Sequence, residues 1–345
     1  MFKKFFGLFS KDIGIDLGTT NVRVYIRGRG MVISESSVVA INLRNDQIIA
    51  IGTNALKMMG KAPSYISIIE PLSHGVISDF EVTEKMLKSI FEKVHRDTFT
   101  LIPRPKVVAA IPLDVTEVEK KSLEDVIIQA GAREVFLVER PVAAAIGVRL
   151  PIQESIGNLI VELGGGLSEA AVISLNGIVA SKSLKIGGES LNKNIISYIR
   201  EKFGVLIGNQ TAEEIKVKIG SVFGNKNQEM RVKGRDLIKG LPKEVLINEI
   251  QIREAIMPLL KTIVEGIHET IEATPPELVS DIYERGIVLS GGGAMLRGLD
   301  KMIQKRINIP VLVTDDPATA IIRGTGLVLE DFENLRQVFV PSSRD

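Results

Sequence analysis

The sequence predicts an α/β protein built from two related domains, and three glycine turns that each follow an apolar run carry that prediction. The first lies in residues 11–25, KDIGIDLGTTNVRVY. Here Ile13–Leu17 reads as a buried strand, Gly18, Thr19, Thr20 and Asn21 as a turn, and 22–26 as the returning strand. Gly18 lets a ligand approach the backbone closely, the threonine hydroxyls and successive N–H groups can hold phosphate oxygens, and Asp16 ends the strand where it can meet a hydrated metal. Alone, this pattern fits an ordinary polar hairpin equally well. A second copy changes the balance: 159–174, LIVELGGGLSEAAVIS, again places an acid, Glu162, and glycines, Gly164, Gly165 and Gly166, after an apolar strand. The two acids stand 146 positions apart, about one domain's length. A third turn, GIVLSGGGAML, occupies 286–296.

Composition agrees with a cytosolic globular protein. The 345 residues suit two domains, and a hydrophobic share of 45% can fill sizeable cores. A net charge of +1 shows no global bias toward nucleic acid, and none is expected as a partner. With no cysteine, disulfides, thiolate metal sites and thiol catalysis are excluded together, and three scattered histidines make no metal cluster. No apolar run reaches the ~18–20 residues of a membrane span.

The chain then reads in order. In residues 1–10, MFKKFFGLFS, Phe2, Phe5, Phe6 and Phe9 form one stripe on a helix, with Lys3 and Lys4 off it. Two readings stand, a segment docked on the protein's own core and a membrane-surface helix, and the basic flanks with a bulky apolar face favour the second. One such helix binds weakly, so stable attachment needs many copies in register. Residues 28–51 alternate as further strands, 55–60 form a short helix, and 71–80 form a loop in which His74 is a hydrogen-bonded loop histidine. Residues 81–96 form an amphipathic helix, 105–112 a buried strand, 116–130 a helix and 134–138 a strand. Pro141 opens a helix of small residues. From 160 the scheme repeats, with helices at 187–203 and at 211–221, the latter capped by Thr211. Residues 231–246 look like a small appended subdomain, 249–274 one long helix punctuated at Pro258, 287–289 a strand, 294–305 a helix, 317–328 a final helix, and 335–345 a frayed tail. The expected division is an N-terminal segment at 1–10, domain I at 11–147 with a small subdomain near 30–75, domain II at 148–330 with one near 190–250, and a tail at 331–345.

The three turns in this order resemble the actin-like ATPase superfamily, which includes actin, the DnaK-type chaperones and sugar kinases. The resemblance implies two ribonuclease H-like sheets with helices on both faces, around a nucleotide cleft, and each domain carrying a small appended subdomain. It further implies that Gly18, Thr19, Thr20, Asn21, Gly164, Gly165 and Gly166 contact the phosphates of ATP. Glu213, Glu214 and Lys216, with Gly291, Gly292, Gly293, Ala294 and Met295, would hold the adenosine, and Asp16 and Glu162 would hold Mg2+ through water. Read from spacing alone, Glu213 and Lys216 make only a solvated i, i+3 ion pair. In the superfamily the helix opened by Pro141 joins the two domains.

Seven strings narrow the resemblance to the MreB family: IDLGTTN at 15–21, PLSHGVISDF at 71–80, PVAAAIG at 141–147, TAEEIK at 211–216, GRDLIKGLP at 234–242, ATPPEL at 273–278 and LSGGGAMLRGLD at 289–300. The family implies an ATP- and Mg2+-binding protein that polymerises into filaments, a homopolymer of paired protofilaments. These lie in the cytoplasm on the inner face of the membrane and work with membrane proteins of cell-wall synthesis and elongation to set cell shape. Three positions depart from its pattern. Where the family usually reads D-I-G-G-G-T-T-E, this chain has Glu162-Leu163-Gly164-Gly165-Gly166-Leu167-Ser168-Glu169, and where it reads E-E-P, this chain has Glu139-Arg140-Pro141. The residues resembling catalytic ones are therefore Glu162, Arg140 and Leu167, and they predict weak or absent hydrolysis, because a guanidinium stays protonated and accepts no proton. A nearby acid, Glu139 or Glu162, taking over the role is the alternative. A non-cycling scaffold that copolymerises with an active sibling is another, and a monomeric ATPase or chaperone-type enzyme a third. A DnaK-type chaperone would need a further domain after the 317 helix, and a sugar kinase an inserted acceptor domain, neither of which is evident.

Overall fold

The computed structural model describes residues 11–96, 104–223 and 228–342; the expected helix at 1–10 lies outside them. The chain divides into two compact units, one comprising Met1–Ser155, Ile173–Ile178 and Thr319–Asp345, the other Ile156–Val172 and Val179–Ala318.

In the first unit a six-stranded sheet runs in the order Phe339–Val340, Glu134–Glu139, Lys106–Ile111, Ile13–Leu17, Asn21–Ile26, Gly30–Ser36. The three inner strands from 134, 106 and 13 are parallel, and the hairpin of the first glycine turn pairs antiparallel with Ile13 opposite Ile26. Every residue of Ile13–Leu17 is buried. Side chains alternate across the sheet, so Ile13, Ile15, Val107 and Ala109 face the helices Phe80–His95 and Glu117–Gln129 through Met86, Leu87, Val126 and Ile127. The opposite face is covered by the helix Ala320–Glu330, with Thr325 against Gly14. Both flanking helices announce themselves locally. Asp79 caps the first by accepting from Val82 N, and Thr116 with Glu119 forms a reciprocal capping box on the second. A three-stranded sheet, Gln47–Ile51, Val39–Asn42, Ile66–Ile69, is appended.

The second unit repeats the plan. Its sheet runs Gly177–Leu184, Ser168–Ser174, Asn158–Leu163, Ile287–Ser290, Val311–Val313, with the last three parallel. Again the strand before the glycine turn is buried throughout. Leu159 and Val161 join a core with Ile195 and Ile199 of Gly188–Phe203 and Ile252, Ile256 and Ile263 of Glu249–Glu272. The appended sheet here is Val205–Leu206, Glu229–Asp236, Pro242–Asn248.

Four expectations need correction. The 71–80 loop contains a small hairpin, Leu72–Ser73 with Val76–Ile77, turned by His74 and Gly75 at φ 48° and 77°. Positive φ at both central residues is what a two-residue hairpin turn demands. The helix expected from Thr211 is Asn209–Ile219, entered from Gly208 without a side-chain cap. The helix expected at 294–305 is split: a 3-10 turn, Gly292–Met295, precedes Leu299–Ile307, with Gly298 at φ 80° between them. The tail expected to be frayed contains a 3-10 turn, Arg336–Val338, and the strand Phe339–Val340, paired through Val340 opposite Leu137. Two residues are too short for a periodic signal. What seats them is a ring cluster, with Phe332 and Phe339 each 4.8–5.2 Å from Phe136 between centroids and Lys106 Nζ 4.0 Å over Phe332.

The helices Arg140–Gly147 and Ala320–Glu330 touch backbone to backbone: a Cβ on Gly324 would lie 1.7 Å from Ala143 O, and one on Gly147 1.9 Å from Ala320 O. Neither obstacle can rotate away. Gly324→Ala should therefore destabilise the fold by at least about 2–3 kcal/mol, measured as a lowered midpoint in urea.

Candidate functional site

In the first unit the site residues gather at the end of Ile13–Leu17. Gly18 N donates to Asn21 O at 3.0 Å, closing the turn, and a Cβ on Gly18 would stand 2.8 Å from that same oxygen. Two outside groups fix the loop. Ser37 Oγ donates to Gly18 O at 2.6 Å, and Gly75 N donates to Thr19 Oγ1 at 2.8 Å. The Thr19 hydroxyl thus accepts and keeps its own proton for a ligand, while Thr20 is exposed. Asp16 is 2% exposed and faces two guanidinium groups, with Arg140 Nη1 2.9 Å from Oδ1 and Arg23 Nη1 3.4 Å from Oδ2. Arg140 is buried and is the first residue of its helix, ahead of Pro141, so the helix start aims it. Arg23 escaped the sequence reading, although its signal was present: once the turn is placed at 18–21, hairpin register puts residue 23 directly opposite 16.

In the second unit the predicted residues meet at the end of Asn158–Leu163. Gly164 N donates to Leu167 O at 2.8 Å, and Gly188 N and Glu189 N donate to the carbonyls of Gly164 and Gly165 at 3.0 and 2.8 Å. The helix Gly188–Phe203 therefore starts on the glycine turn itself, a contact close enough that a Cβ on Gly187 would lie 2.5 Å from Gly165 O. Glu162 and Leu167 are both buried, and the Glu162 carboxylate lies 3.3 Å from the Cβ position of Gly164. Lys216 Nζ donates to Gly188 O at 2.9 Å and pairs with Glu213 at 2.6 Å, and Asn192 Nδ2 donates to the same Glu213 oxygen at 2.8 Å. Asn192 also lay beyond the sequence reading, for nothing in the sequence joins it to a carboxylate in another helix. Glu214 instead pairs with Lys218 at 3.7 Å in solvent, away from this group. Gly291, at φ 80°, presses on Leu163, where a Cβ would lie 2.4 Å from the carbonyl; Gly292 faces open space, Ala294 is buried and Met295 exposed.

Each turn is thus a backbone cradle that a side chain would fill, which suits phosphate oxygens. The carboxylates fit a hard cation less evenly. Glu162 is a buried acid at a strand end, whereas both oxygens of Asp16 are already engaged by arginine. Among the described residues no group of three or more His, Asp or Glu side chains gathers as a metal site.

Glu139, the residue before Arg140, has its carboxyl pushed above the ordinary value by burial. A raised folded-state pKa means that the folded form holds this proton more tightly, so the associated stability is present below the unfolded pKa and lost as pH rises through the folded one. Glu139→Gln should accordingly raise Tm at neutral pH, and the gain should vanish below about pH 4, read by thermal melts across pH.

A family model described as MreB/Mbl protein matches residues 10–337. The chain is 47% identical over 337 residues to the cell shape-determining protein MreB of Escherichia coli (strain K12), covering 96% of each chain. Among solved structures, MreB5 of Spiroplasma citri bound to ADP is 35% identical with a TM-score of 0.89, over 95% of this chain and 98% of that one. The same protein bound to AMPPNP gives 35% and 0.89 over 94% and 97%. Both the family resemblance and the actin-like fold expected from the sequence are borne out: the chain belongs to the MreB/Mbl family of actin-like proteins.

Proposed function

We propose that this protein binds ATP through its glycine turns and polymerises into actin-like filaments that determine cell shape, with hydrolysis weakened. The observation that carries the reading is the repeated plan: two sheets of like strand order, each ending a buried strand in an acid and a glycine cradle. Support comes from the relative solved with ADP and with AMPPNP. Phosphate contacts are assigned to Gly18, Thr19, Thr20, Asn21 and Gly164, Gly165, Gly166. Glu213 and Lys216, tied to Gly188, would meet the ribose side, with Gly291–Met295 beneath the adenosine and Glu214 at the margin. Mg2+ would accompany the triphosphate, with Glu162 the better suited of the two carboxylates.

Weakened hydrolysis follows from what the reaction needs. Water must be aimed in line at the γ-phosphate by a group that accepts from it, and such a group typically contributes ~10²–10⁴-fold. Arg140 is a buried cation already paired with Asp16, and Leu167 is buried and offers no hydroxyl. The same ion pair favours the scaffold reading, in which this chain copolymerises with an active sibling. The filaments would lie in the cytoplasm on the inner membrane face, recruited through Phe2, Phe5, Phe6, Phe9, Lys3 and Lys4, and would act with membrane proteins of wall synthesis. Among the described residues no helix is long and apolar enough to cross a membrane.

In phosphate-release assays under polymerising conditions, the Arg140→Glu, Leu167→Thr double variant should turn over at least about tenfold faster than the unmodified chain; equal rates would reject impaired hydrolysis. In ultracentrifugation with ATP the unmodified chain should pellet, and a chain that stays in the supernatant would be no filament protein. Deleting residues 1–9 should abolish co-sedimentation with anionic vesicles, and equal binding of both forms would remove the anchor from the account.

A further inference from the structure

We infer that Arg140 stands in for a divalent cation on the first phosphate loop, so that this chain binds a nucleoside triphosphate without requiring Mg2+. The inference rests on the nucleotide-binding reading above and concerns the charge that the loop offers. Both oxygens of the Asp16 carboxylate face guanidinium nitrogens, Arg140 at 2.9 Å and Arg23 at 3.4 Å. Asp16 is 2% and Arg140 6% exposed, so solvent screens neither the attraction between them nor the repulsion that an arriving cation would feel. A metal held by Asp16, directly or through water, competes with an arginine at each of the two oxygens. It would also sit against fixed positive charge.

That charge lies where a triphosphate needs it. The Asp16 carboxylate stands 3.8 Å from the Cβ position of Gly18, so the paired guanidiniums adjoin the turn that carries the Thr19 hydroxyl. Arg140 opens the helix Arg140–Gly147, where the helix start adds positive partial charge. A planar guanidinium grips phosphate oxygens through two parallel donors and never loses its proton. A guanidinium replacing a carboxylate at position 140 also changes the local charge by the increment that one divalent cation brings.

The test is calorimetric titration of the full chain with ATP in EDTA and in Mg2+. For the unmodified chain the two Kd values should agree within about threefold, whereas Arg140→Glu should lose about tenfold or more of its affinity in EDTA. Binding of the unmodified chain that falls about tenfold or more without Mg2+ overturns the inference and leaves nucleotide binding standing. Binding in neither buffer overturns the nucleotide reading and this inference with it. If Arg140→Glu does not fold, Arg140→Gln decides instead: its affinity for ATP in EDTA should fall about tenfold or more, and an affinity equal to that of the unmodified chain overturns the proposal.

Discussion

A strand buried on both faces can present polar chemistry only where it ends. Ile13–Leu17 and Asn158–Leu163 are enclosed along their whole length, and each sits inside its sheet with a parallel strand on one side. Each unit's candidate phosphate contacts are consequently gathered at one point, the turn that follows its central strand. The surrounding groups serve that point: Ser37 and Gly75 hold the first turn, and the start of Gly188–Phe203 holds the second. Glycine is required there because the neighbouring atoms are backbone, which no choice of rotamer moves.

Within this shared plan the two turns differ in their electrostatics. The acid of the first is neutralised by arginines, one from the hairpin's own return strand and one from a helix start far along the chain. Breaking a buried pair of this kind by removing one partner typically costs about 3–5 kcal/mol, so folding holds the arrangement in place. The acid of the second, Glu162, sits beside a glycine turn and has an apolar Leu167 where a hydroxyl would be expected. The asymmetry lies in the side chains while the backbones stay alike.

Much of this was legible in the residues. Continuous apolar runs placed both central strands, and the helices expected at 81–96 and 116–130 are found as Phe80–His95 and Glu117–Gln129. Where the cause is tertiary, the sequence was silent. Phe339–Val340 is a strand because three aromatic rings and a sheet edge receive it, and the turn Gly292–Met295 is 3-10 because it packs on Leu163. The departure at Arg140 could be seen, but that its head lands on Asp16 could not, since 124 positions separate them. Arg23 lay between these cases, reachable by register once the turn was fixed.

The contact between Arg140–Gly147 and Ala320–Glu330 has a consequence for how such a protein can drift. At most buried positions a larger residue can be rescued by a smaller one opposite, so a lineage explores sequence by paired exchange. Opposite Gly147 and Gly324 stand carbonyl oxygens, and every amino acid carries the same carbonyl. No partner substitution can make room, so these two positions admit no epistatic rescue and hold the crossing of the two helices fixed while the side chains around the turns are at liberty to change.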